Sequence, residues 1–181
     1  MKRRSIHDRA RILLLRRILV YGALTVVLAT AQCSFFATLH ILPATPDLML
    51  GLSLGILLFD STEAASAVAL GAGILLDALG AGSFFLSPAF YFALCLLLCL
   101  PASKMLPRFL SFCVLLLPAL LLRALFTSLC LTLYLGTLPA LSHLGAVVLP
   151  ELLMTALFCL PLYPILKLCR RPLSVRRAFR P

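Results

Sequence analysis

Three ionisable side chains stand inside long apolar runs: Asp77 in GILLD, Arg123 in ALLLRALF and Glu151 in LPELLM. A charge at the centre of a membrane helix costs at least about 2.5 kcal/mol, so such groups normally face one another or a polar cavity. Two carboxylates and a guanidinium can form a structural staple, or a route for a proton or an ion. The sequence leaves both open. The pairing it suggests is Asp77 with Arg123, with Glu151 as a second acceptor; the alternative for Asp77 is to snorkel to the nearer interface.

Other reactive chemistry is sparse. His7, His40 and His143 lie in separate loops or tails, and no Ser-His-Asp order, HExxH or Walker glycine loop occurs. This argues against an enzyme and gives no cofactor-binding or metal-binding candidate. Cys33, Cys95, Cys99, Cys113, Cys130 and Cys159 fall in apolar runs, Cys169 lies at a basic end, and no CxxC is present. They read as small buried hydrophobes rather than as a disulfide framework.

The elements that carry these charges must be membrane spans. The chain is 62% hydrophobic and 12% charged, with a mean hydropathy of +1.11. A soluble domain is about half apolar and a quarter charged. Charge is also segregated. The tails at 1–17 and 167–181 together supply +12, and the interior contributes −2, giving the net +10. Basic tails beside apolar spans fit the positive-inside rule and anionic lipid headgroups, and they argue against nucleic acid as the partner.

Counting about 20 apolar residues per span predicts an all-α, polytopic bundle of about six helices. They fall near 18–40, 47–60, 64–81, 86–103, 109–135 and 144–168. The membrane domain is 18–169, flanked by basic tails at 1–17 and 170–181. The polar turn DSTEAAS makes a hairpin of the second and third spans. Both tails and the loop with Lys104 and Arg108 share one side, which the positive-inside rule makes cytoplasmic. The first span reads as an uncleaved anchor, because SFFATLHIL continues the apolar run beyond the ATA at Ala29–Ala31. Ala64 to Gly73 is almost entirely Ala, Ser and Gly, which permits close helix approach and predicts a central third helix. Gly51 and Gly55 give the second helix a contact face of its own.

At about 1.5 Å per residue, Asp77 lies roughly 20 Å from residue 64, Arg123 about 21 Å from residue 109, and Glu151 about 24 Å from Lys167. All three therefore share a depth toward the outer leaflet.

Pro46-Asp47 opens the second span, GILLD carries Gly73 and Asp77, and the last helix bears Pro164 in PLYPILKLCRR and runs into bases. Over about residues 18–171 this layout resembles the MreD family of rod shape-determining membrane proteins. The resemblance implies a non-enzymatic component of the bacterial inner membrane, with both termini cytoplasmic. It implies binding to an MreC-like single-span protein, and support for the peptidoglycan glycosyltransferase and transpeptidase of cell elongation. The family is similar in fold to the substrate-binding components of energy-coupling-factor vitamin transporters. That makes such a component the alternative reading.

Overall fold

The computed structural model describes residues 2–36, 45–80, 86–135 and 148–170. Six α-helices lie among them. They are α1 (Lys2–Thr30, running on as a π-helical stretch Ala31–Phe36), α2 (Leu48–Phe59), α3 (Thr62–Ala78), α4 (Ser87–Lys104), α5 (Phe109–Leu135) and α6 (Leu149–Arg170). Leu15–Phe35, Ser87–Lys104, Phe109–Tyr134 and Leu149–Cys169 are long and apolar enough to cross a membrane. This is an all-helical, multi-pass membrane protein, and the described residues contain no strand.

The other two helices differ from these four. With 12 and 17 residues, α2 and α3 are about 18 and 26 Å long, short of the ~30 Å hydrocarbon core. The shorter one is the more deeply enclosed: every residue of α2 from Leu48 to Phe59 is buried. The centre of the bundle is therefore α2, not the small-residue third helix. The reason is that α3 uses its small residues on one side only. Ala65, Ser66, Ala69, Ala72, Gly73 and Leu76 are buried, whereas Leu70 and Ile74 point outward.

Glycine sets the close approaches. A Cβ at Gly51 would meet the Cys159 thiol, and one at Gly55 would meet Leu166, so α2 lies directly against α6 through these two residues. A Cβ at Gly73 would run into the backbone of Ser87 and Pro88, which brings α3 onto the start of α4. That contact accounts for the glycine of the GILLD motif.

At the α2–α3 turn, the Asp60 N–H closes the end of α2 on the Ile56 carbonyl, and the Ser61 hydroxyl caps α3 by accepting from the Ala64 N–H. Asp60 is an acid on the basic end of the bundle, and α1 accounts for it. The Arg17 guanidinium reaches Asp60 Oδ1 at 3.1 Å, and the Tyr21 hydroxyl donates to Oδ2 at 3.1 Å. Near the same end, Tyr163 of α6 packs among Phe59, Phe109 and Phe112, and its hydroxyl donates to the Pro107 carbonyl. Pro161 and Pro164 lie inside α6 on its exposed side, so Pro164 shapes a helix rather than a site. The seven cysteines are all free thiols.

Candidate functional site: a buried charge cluster at the start of α2

Pro46 and Asp47 bring the chain into α2 at the end opposite Asp60. As the residue before the helix, Asp47 caps it: Oδ1 accepts from the Leu50 N–H at 3.1 Å. Such a cap satisfies one of the donors that every helix start leaves unpaired. The same carboxylate does more here. Tyr91 of α4 puts its hydroxyl 2.7 Å from both carboxylate oxygens. Arg123 of α5 brings Nε to 3.3 Å from Oδ2.

The backbone around Asp47 is held as closely as the side chain. Its N–H donates to Thr155 Oγ1 of α6 at 3.0 Å, and the Leu48 N–H donates to Gln32 Oε1 of the π-helical stretch at 3.0 Å. The Cys159 thiol donates to the Asp47 carbonyl at 3.6 Å. Three further helices thus converge on Asp47, which is 1% exposed, and the π-helical stretch holds its neighbour Leu48.

Arg123 is shared between two acids. Its Nε also lies 3.3 Å from Glu151 Oε1 at the start of α6. The guanidinium lies over the Phe90 ring at 5.6 Å, and that ring is stacked on Phe126 at 4.5 Å. Arginine suits this position because its delocalised cation stays charged on burial and is attracted to an aromatic face. The Arg123 and Glu151 side chains are 12% and 14% exposed. Formally the cluster holds two negative charges and one positive. The Tyr91 hydroxyl gives Asp47 an additional donor.

Of the expected charge group, Arg123 and Glu151 meet as expected, and Asp77 does not join them. Arg123 takes Asp47 in place of Asp77. Matched depth fixes only one coordinate. The packing partners of α3 are α4, α2 and α1, whereas α5 lies against α4, α6 and α2. Asp77 therefore sits on the wrong side of the bundle. Its Oδ1 is buried without a hydrogen-bond partner among the described residues. Pro46 and Asp47 stood out in the sequence only as the opening of a span. Tyr91, Gln32 and Thr155 did not stand out at all, and Cys159 did so only as one of six cysteines in apolar runs. Their one signal is a polar or thiol group within an apolar helix, which many membrane residues share.

No protein-family model matches the chain, and neither curated proteins nor solved structures gave a match. The resemblance to MreD rests on the residues quoted above.

Proposed function

We propose that this protein is a non-enzymatic scaffold of the bacterial elongation machinery, seated in the inner membrane with both termini cytoplasmic. In this reading it binds an MreC-like single-span protein and supports a glycosyltransferase–transpeptidase pair during lateral peptidoglycan synthesis. Its basic tails, 1–17 and 170–181, bind anionic headgroups.

One observation carries the proposal: the Asp47 cluster is closed by the chain's own donors. Both carboxylate oxygens, the backbone N–H and the carbonyl of Asp47 each have an internal partner. A carboxylate held this fully stiffens the meeting point of the helices. It favours a staple over an ion path, because each step of a path would have to break several of these contacts. A rigid body with fixed outer faces is what a protein that organises others in a membrane requires.

The test is depletion in a rod-shaped host combined with affinity purification. Rounded or widened cells and co-purification of a single-span wall-synthesis protein are expected. Recovery of an ABC-type ATPase pair together with a vitamin-uptake defect would overturn the scaffold reading in favour of transport.

A further inference from the structure

Six of the nine glycines are described, and four of them are explained within the chain. Gly51, Gly55 and Gly73 admit close neighbours, and Gly80 adopts a positive φ of 76°. Gly22 and Gly71 have neither reason: a Cβ at either would meet nothing within 4 Å. Both line one groove, an open trough of about 840 Å³ between α1 and α3. Tyr21 and Thr25 flank Gly22 on one wall, and Ala64, Ala67 and Ala78 accompany Gly71 on the other.

The walls suit a particular occupant. Glycines on two facing helices let a third backbone come close to both, which is how membrane helices associate. An acyl chain needs no such approach. The α3 wall, from Ser61 to Ala78, is about 26 Å long at helical rise, so it lines most, though not all, of the ~30 Å depth of the hydrocarbon core. At the basic end of the groove, Arg17 is already engaged by Asp60. Glu63 lines the mouth as an exposed acid, beside an Asp60 whose charge Arg17 already balances. A membrane helix from another protein carries its own Lys and Arg on that side of the bilayer, where they would meet Glu63.

We infer that the α1–α3 groove receives the transmembrane helix of a partner with a basic flank, small residues facing Gly22 and Gly71, and a Lys or Arg opposite Glu63. This inference rests on the scaffold reading for the partner's identity, but not for the groove itself.

The experiment uses the full-length protein in cells. A photo-crosslinking residue is placed at Ala67 in the groove and, as a control, at Leu97 on the outward face of α4. Gly71→Leu and Glu63→Lys are assayed alongside. The Ala67 probe should capture one single-span protein and the Leu97 probe should not. Gly71→Leu should leave membrane accumulation of this chain unchanged and lower capture at least tenfold. Glu63→Lys should lower capture, and reversing the charge of the basic residue at the captured span's flank should restore it. Capture of a second copy, capture of lipid alone, or capture indifferent to Gly71→Leu would each overturn the inference. If the wall-synthesis partner still co-purifies in those cases, the scaffold reading survives its loss. Charge-dependent capture of a helix unrelated to wall synthesis would keep the groove and remove the scaffold reading.

Discussion

The two ends of α2 make the same contact in opposite surroundings. At one end Asp60 pairs with Arg17, the two side chains 12% and 33% exposed. At the other, Asp47 pairs with Arg123, at 1% and 12%. Beyond its own turn, Asp60 takes the Arg17 guanidinium and the Tyr21 hydroxyl, both from α1, whereas Asp47 gathers groups from three further helices. The difference follows from solvation. Water and headgroups can replace a lost partner at the basic end. At the buried end nothing can, so each polar group must find its partner within the protein.

The most severe break of this comparison is Asp47→Ala. It removes the helix cap and strands the Leu50 N–H and the Tyr91 hydroxyl, and each buried donor left unpaired costs about 1–3 kcal/mol. The protein should fail to accumulate in membranes, as read by immunoblot of the membrane fraction. Arg123→Leu strands Asp47 and Glu151 but should be milder, because Asp47 keeps its Leu50 and Tyr91 donors and Glu151 can take up a proton, a neutral acid being cheaper to bury. Combining Arg123→Leu with Asp47→Asn should recover part of the loss. A coupling of at least the ~0.6 kcal/mol typical of membrane hydrogen-bonding pairs is expected in a thermal-unfolding double-mutant cycle, and strict additivity would show that the pair carries no energy.

Gly51→Leu probes the middle of the helix. Overpacking against Cys159 should cost about 1–3 kcal/mol, seen as a lower unfolding midpoint in detergent. Asp60→Asn should cost about 1 kcal/mol, because this pair is only partly buried, and the difference from wild type should shrink at high salt. A loss as large as that of Asp47→Ala would end the contrast between the two ends. Asp77→Asn should have the smallest effect, within about 0.5 kcal/mol. Its cycle with Arg123→Leu should be additive to within roughly 0.3–0.5 kcal/mol, since the two residues do not meet.

Much of the fold was legible because spans are written in composition. The expected segments 47–60, 86–103 and 109–135 fall within a residue or two of α2, α4 and α5, with Asp47 as the cap that opens α2. Residues 136–147, with His143 and the expected start of the sixth span at 144, lie outside the described residues, as do 37–44 with His40, the loop 81–85 and the tail from 171. The charge cluster was half legible. Rise per residue brought Arg123 and Glu151 to one level, but no helical count says which face of the bundle a residue occupies. That gap produced the Asp77 pairing, and it hid α2 as the centre. A short span reads as marginal until the helices around it are seen.

The enclosure of α2 also has a consequence in time. Thr155, which receives the Asp47 N–H, follows it by 108 residues, or about 5–20 s of synthesis at ordinary rates. For the larger part of that interval, until Arg123 is made, the nascent chain holds an acid without its cation, on a helix too short to span by itself. The α2–α3 hairpin must wait at the membrane in some provisional seat and settle only when α5 and α6 arrive. Birth order and burial order are therefore reversed: one of the first segments to leave the ribosome is the last to find its place.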